Sequence, residues 1–344
     1  MNPKSLILLE FPKVLARLKS YASFSVSAAL AEALRPTSSL EKALHRQRET
    51  REARLLISIN DSISFQGAVD LQPLTDQTQH GMTLEASDLL AIRNTLILSR
   101  TARRVLLDNA ENVPMLAAQA ENLSDGGGLI DLINRTISDR GEVLDSASPE
   151  LAHIRSEIKV IHARLIDRLN RYLSDPSSAR MLQETLITQR SGRYVLPLRA
   201  EHKGQIKAII HDQSASGATL FIEPIAIVEL NNKFRELELA ERDEVLRVLR
   251  LLSQQIALQA ESLNLTTKAM ADIDLALMKA RYAEDLNANE PELLPFPAQP
   301  SETHPGSVIQ LRRARHPLLD PGKVVPIDFE LDRSIFSVVL TGPN

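Results

Sequence analysis

The sequence predicts a mainly-α fold: a helical core, two long antiparallel helices carrying a small β-containing tip, and a tail that opens a further α/β domain. Three observations predict it. Leu, Ala, Glu and Arg are abundant, whereas aromatic residues make up only 3% of the chain and Trp is absent. That balance favours helix over an aromatic-rich sandwich and leaves few platforms for stacking bases. Two apolar stripes with steps of three or four residues run much further than a compact core requires. Between them lie the only convincing β-type runs before the tail.

Residues 1 to about 145 read as short helices separated by turns, each amphipathic and modest in length, so they need one another to form a core. In "PTSSLEKALHRQRETREARLLI" Ser38 stands three before Glu41, a capping-box spacing, and helix-forming residues continue to Ile57. In "GMTLEASDLLAIRNTLILSRTARRVLL" Thr83 is the expected cap, and Leu89, Ile92 and Leu96 share a face. The three glycines of "SDGGGL" lack the strand and spacing of a dinucleotide loop and read as a helix stop.

From Ser148 the scale changes. Ser148 suits an N-cap, Pro149 the first helical position and Glu150 the positive end of the dipole. Leu151, Ile154, Ile158, Ile161, Leu165, Leu169 and Tyr172 then form one narrow stripe, roughly 39 Å of helix at 1.5 Å per residue. A second stripe, Leu230, Phe234, Leu237, Val245, Leu249, Leu252 and Ile256, breaks at Glu241 within helical sequence that continues to Asn264. Running antiparallel, the two would bury each other. The β-type runs between them are "RYVLPLRA", "GQIKAII" and "ATLFIEP", and Pro197 places its strand at an edge or a bulge. After about residue 290 a proline-rich linker leads to "SVIQLRRA" and "FSVVLTGPN", expected strands of a new domain.

The chain carries a net charge of −4 and a pI near 6.1, so it does not hold phosphate by bulk attraction. Any nucleic-acid contact must be local, and one basic stretch qualifies. From Arg190 to Ile210 the cations Arg190, Arg193, Arg199, Lys203 and Lys207 face a single acid, Glu201. Such a patch at the end of an arm suits a phosphate backbone, although cations also protect strand edges. The absence of Cys excludes disulfides and thiolate metal sites. The apolar run of the opening segment is too short for a signal peptide, and nowhere do about 18 apolar residues run together, so a cytoplasmic location is expected. Ser214, Ser216, His211 and Asp212 crowd one short stretch and read as a polar turn rather than a hydrolase site. His153 and His162, nine apart on one helix, face opposite ways and cannot share a metal.

The run Ser337 to Leu340 entering a glycine turn is how a phosphate-binding loop begins. "VVLTGPN" resembles the entry to the Walker A loop of MutS-family ATPases, where the pattern continues to G-G-K-[ST]. "ARHPLLD" followed by "VVPIDFEL" matches the order in which that family enters its ATPase domain. "RGEVLDSASPELAHIR", the segment "LQETLITQRSGRYVLPLRAEHKGQIKAIIHDQSASGATLFIEP" and "VELNN" resemble the second-type branch, which lacks the mismatch-reading and connector domains.

The resemblance implies a helical core at 1–148, an outgoing lever at 149–189, a clamp at 190–224, returning levers at 225–290, and a linker with the start of a P-loop ATPase domain at 291–344. It further implies ATP with Mg as cofactor, Gly342, Pro343 and Asn344 at the start of the phosphate loop, and Val324 and Val325 beside adenine. Val324 stands where mismatch-repair relatives often carry an aromatic. Implied partners are branched or double-stranded DNA, or the ribosome and its rRNA, and a second copy in a homodimer; no membrane is implied. The expected role is restraint of recombination or rescue of collided ribosomes. The chain lacks the Walker A lysine, Walker B and the Smr nuclease domain, so alone it is expected neither to hydrolyse ATP nor to cut. The competing reading is a helical scaffold whose arms bind only proteins.

Overall fold

The computed structural model describes residues 3–59, 63–295, 308–332, 335, 337–339 and 341. Its helices before the arms are α1 (Pro3–Leu8), α2 (Phe11–Lys19), α3 (Ser25–Ala33), α4 (Leu40–Ile59), α5 (Gln72–Gln79), α6 (Ala86–Asp108), α7 (Pro114–Gln119) and α8 (Leu129–Thr136). Then follow α9 (Pro149–Ser174), α10 (Pro176–Ala179), β1 (Thr188–Arg190), β2 (Arg193–Arg199), β3 (Ala208–Gln213), β4 (Thr219–Pro224), α11 (Ile225–Leu258), α12 (Ala260–Asp285), β5 (Ile309–Ala314) and β6 (Ile327–Leu331). The mainly-α class with a small β tip is therefore observed. No helix among the described residues is long and apolar enough to cross a membrane.

By internal contacts the chain forms two compact units. One comprises residues 1–76, 91–127 and 259–344, the other 77–90 and 128–258. In the first, α12 is the central element: Ile273, Ala276, Leu277 and Ala280 are buried against Leu56 of α4, Phe24 and Phe65. Two carboxylates of this unit are fully engaged. The fully buried carboxylate of Asp274 accepts from the Ser23 backbone N–H and from the Ser23 and Ser27 hydroxyls. Glu52 of α4 accepts the Met115 and Leu116 N–H groups, both at 2.9 Å, and so caps α7, whose own cap position is Val113.

The second unit is built on α9 and α11, which run antiparallel: Ser148 meets Glu244, Arg155 meets Glu241, and Arg168 meets Ala226. Ser148 caps α9 as its sequence predicts, its Oγ accepting from the Leu151 N–H at 3.0 Å while its hydroxyl donates to Glu244. The predicted break at Glu241 has a physical cause. Its carboxylate takes the Arg155 guanidinium at 2.7 Å, and Arg155 also reaches Asp145 and the Val143 carbonyl. At this level the helices are joined by polar groups instead of leucines.

Several expectations are corrected. The α4 cap is Ser39, which accepts from the Lys42 N–H at 3.2 Å, not Ser38; Ser39 in turn donates its backbone N–H to Thr37. Thr83 does not cap α6, which starts at Ala86 after Asp88 has taken the Glu85 N–H; Leu89, Ile92 and Leu96 are nevertheless fully buried. The second long helix ends at Leu258, not Asn264, because the following residues join the core of the other unit from α12. On α11 Phe234, Leu237, Leu252 and Ile256 of the predicted stripe are buried, whereas past Glu241 the buried positions are Glu244 and Val248, with Val245 and Leu249 only partly buried beside them.

In the tail, β5 and β6 form an antiparallel pair. The expected strand at 337–340 is not formed at the described residues 337–339, and Leu340 lies outside them. A strand exists through its ladder, and among the described residues neither β5 nor β6 pairs with this segment.

Two outcomes follow at the arm base. Ser148→Ala removes a cap and is expected to lower stability by about 1–2 kcal/mol in denaturant titrations. Glu244 is held at about 2 against an ordinary value of 4.5, through hydrogen bonds from Arg247 and then Ser148. Its folded-state value is depressed, so its stabilisation is complete above pH 4.5 and is lost as pH falls towards 2. Wild type and Glu244→Gln should differ most near neutrality and converge in acid.

Candidate nucleic-acid interface

The tip begins where α9 ends. Asp175 terminates α9 and caps α10, accepting the Ser178 N–H at 3.0 Å. Hydrogen bonds from the Ser177 and Ser178 hydroxyls hold its carboxyl at about 2. The sheet that follows is antiparallel in the order β1-β2-β4-β3. Ser191 and Gly192 close the β1–β2 hairpin with φ of 50° and 75°, the left-handed pair that a tight two-residue turn requires. Leu196 and Leu198 of β2 and Leu220 and Ile222 of β4 bury one face on Leu165 and Leu169 of α9 and Ile227 and Phe234 of α11. His162, Tyr194 and Phe234 add a three-ring cluster with centroids 5.3–5.6 Å apart, and His162 Nε2 lies 2.9 Å from the Tyr194 hydroxyl.

Pro197 lies in a strand that is interior by order, yet it satisfies the edge rule locally. β1 pairs with β2 only as far as Val195, so Pro197 lies beyond it, and its carbonyl accepts from Gln183 N–H at 2.8 Å. The missing donor faces irregular chain, and no ladder bond is lost.

A buried carboxylate joins sheet to arm. Glu223 of β4 is fully buried and holds Arg193 Nη1 at 2.9 and 3.2 Å, Asn231 Nδ2 at 2.6 Å, and His211 Nε2. His211 is the extra residue at a register shift between Ile210 and Asp212, and the bulge turns it towards Glu223. Asn231 of α11 also takes the Tyr194 N–H at 3.1 Å and donates to the Tyr194 carbonyl at 3.0 Å. Its amide acts as a strand partner at the place where β4 has already turned into α11. His211 and Asp212 are thus strand residues rather than part of a loop. The polar turn is confined to Ser214–Gly217, where Gly217 N–H donates to the Ser214 carbonyl at 2.8 Å.

The five candidate cations divide into two groups. Arg193 is committed to Glu223 and, through Nη2, to Asn232 at 2.6 Å. Arg190 lies 4.0 Å over the Phe221 ring and 3.4 Å from Asp212. Arg199, at the end of β2, gives one hydrogen bond to the Leu182 carbonyl and is exposed. Lys203 and Lys207, in the β2–β3 connection, are exposed and have no ion-pair partner among the described residues. The acids that neutralise Arg190 and Arg193 lie outside the basic stretch in sequence but against it in space. Three cations, Arg199, Lys203 and Lys207, remain free to meet an anion. Tyr194 is packed inside and Phe221 is covered, so neither presents an open face for a base.

Of the residues assigned to nucleotide, Gly342, Pro343 and Asn344 lie outside the described residues. Val324 is half-buried and Val325 is 79% exposed in the β5–β6 connection. Two valines offer an apolar wall for a base and nothing for phosphates. The turn spans His316–Leu319, the Leu319 N–H donating to the His316 carbonyl at 3.1 Å, so Arg315 precedes it, and the Pro317 carbonyl lies 3.4 Å from Arg17 of α2.

Glu223, Asn231, Asn232 and His211 are the residues that sequence reading missed. A signal existed for one of them: Asn231 occupies the apolar stripe Ile227–Asn231–Phe234 at helical spacing.

The fold and site define a class: a helical-core protein with an antiparallel two-helix arm that ends in a small sheet with exposed cations. Comparison with known proteins makes it particular. Over 100% of its length the chain is 42% identical to endonuclease MutS2 of Thermomicrobium roseum, covering 44% of that protein. It is 39% identical to endonuclease MutS2 of Geobacillus kaustophilus and 34% identical to the putative endonuclease MutS2 of Bacillus subtilis, again over 100% of the chain and 43% of each relative. Over its whole length the chain is thus similar to proteins of the second-type MutS branch, the family its motifs resemble. The chain spans less than half the length of these relatives. No family model matches it.

The joint is testable by substitution. Glu223→Ala removes the buried acceptor shared by Arg193, His211 and Asn231, leaves the part-buried Arg193 without its counter-charge, and is expected to cost more than about 2 kcal/mol. Asp212→Ala breaks an exposed pair and should cost less than about 1 kcal/mol. Denaturant titration of both variants measures the difference.

Proposed function

We propose that this chain is the core, lever and clamp portion of a MutS-type nucleic-acid-binding protein, and that its tip grips a phosphate backbone by charge and shape. The observation that carries this reading is the pairing of three unneutralised cations, Arg199, Lys203 and Lys207, with a tip joined to its arm through Glu223 and Asn231. Backbone contacts of this kind position a protein without reading bases, and no open aromatic face is needed. The names of the relatives, endonuclease MutS2, favour DNA as the target. For the whole protein we propose a homodimer driven by ATP with Mg, acting on branched DNA to restrain recombination, with collided ribosomes as the alternative substrate of the same grip. The cofactor assignment rests on the motif alone.

A second reading, a scaffold that binds only proteins, is favoured by Ile209 and Ile210. These are 42% and 43% exposed on β3, the outer strand of the sheet, and such an edge accepts partner chains.

The test is salt-dependent binding to a DNA junction and to ribosomes by the chain and by the Arg199→Glu/Lys203→Glu/Lys207→Glu variant. Each cation withdrawn from a phosphate reduces the slope of log affinity against log salt by about 0.9 on duplex DNA. A shallower slope and weaker binding with unchanged stability are expected. Absence of any binding by the unmodified chain favours the scaffold. Arg193 is left intact because its removal would disturb the joint instead of the surface.

A further inference from the structure

The helical-core unit contains a cavity of about 540 Å³ between the end of α12 and helices α2 and α4, within the range of small-molecule sites. Its apolar wall includes Leu18, Leu34 and Leu286. Of the other cations lining it, Arg51 is paired with Glu290 and Arg54 with Glu284, while Arg35 and Arg46 donate to backbone carbonyls. Lys279 also lines the cavity, is half-buried, and has no hydrogen-bond or ion-pair partner among the described residues. Burial pushes its pKa down; Glu49 opposes that shift and the neighbouring Arg46 adds to it.

One turn further along α12, on the same face, Tyr282 also lines the cavity. It is 8% exposed, and its hydroxyl is buried without a partner. Buried donors without acceptors are unfavourable and uncommon in native proteins. Here a desolvated cation and an orphaned hydroxyl occur together, beside apolar surface and in a cavity that is otherwise well formed. An anion would satisfy the first, an acceptor oxygen the second, and an apolar body would cover the leucines.

We propose that this cavity binds a small amphipathic anion, a carboxylate or phosphate carried on an apolar body, with Lys279 as counter-charge and the Tyr282 hydroxyl as donor. The site lies wholly within the helical-core unit and is independent of the clamp reading. Ligand binding there would stabilise the core, because it acts on the folded state alone.

The experiment is calorimetric titration of the chain with decanoate, decyl phosphate and 1-decanol, each below its aggregation or solubility limit. The expected result is one equivalent per chain, with at least one anion bound about ten-fold or more tightly than decanol, as a charge-assisted hydrogen bond provides. The ranking of decanoate against decyl phosphate separates a carboxylate ligand from a phosphate ligand. Lys279→Met, near-isosteric and relieved of a desolvated charge, should melt at a higher temperature than wild type and bind the anion no better than the alcohol. Tyr282→Phe should fold and weaken the anion several-fold while leaving decanol unchanged. Equal affinity for anion and alcohol in wild type, anion binding unaffected by both substitutions, or binding of many equivalents per chain would each overturn the proposal.

Discussion

A carboxylate with no access to water fixes the geometry of the tip. Glu223 would be prohibitively unfavourable in an apolar interior, and it is tolerated because Arg193 from β2, His211 from β3 and Asn231 from α11 all converge on it. Removing any partner leaves charge or hydrogen-bonding capacity stranded, so the group constrains three elements at once. Apolar packing alone, Leu196 and Ile222 against Leu165 and Phe234, would bury the same surface but would tolerate small rotations of the sheet on the arm. The polar joint does not. The grip proposed for the tip would need that rigidity.

The arm uses the same principle at its base. A stripe of leucines and isoleucines specifies that α9 and α11 pack but only weakly specifies how far one is advanced along the other. Arg155 on Glu241, and Ser148 on Glu244, interrupt the stripe at one level and set the register, in the manner of single polar residues in coiled coils. What reads in sequence as a defect of the apolar pattern is the feature that locks the pair.

Much of this architecture is legible in the sequence because it is local. Ser148, Pro149 and Glu150 announce α9 through contacts within four residues, and the stripe on α9 needs only helical periodicity. The strands β2 and β4 are visible as apolar runs. The failures arise where the determining partner is remote or where the signal is too small. β1 is three polar-flanked residues, Thr188–Arg190, that become a strand only because the Ser191–Gly192 turn folds them onto β2. The Ser39 cap competes with an equally suitable Ser38 one residue away, and no single-residue preference separates them.

The candidate site shows the same division. Its five cations stand out in sequence as a basic stretch, but their division into committed and free groups depends on Asp212 and Glu223, which no window ending at Ile210 includes. Asn231, a lone amide on an apolar stripe, is the one visible hint of the joint.

The central claim, that the tip is fixed to its arm through the Glu223 joint, is tested most directly by hydrogen exchange at the Tyr194 amide. That N–H has no strand partner on the α11 side and is held only by the Asn231 side chain. The account predicts exchange as slow as that of the β2–β4 ladder, so that the amide opens only when the whole unit unfolds. Exchange at the rate of the exposed Ser214–Gly217 turn, with the ladder still protected, would contradict it.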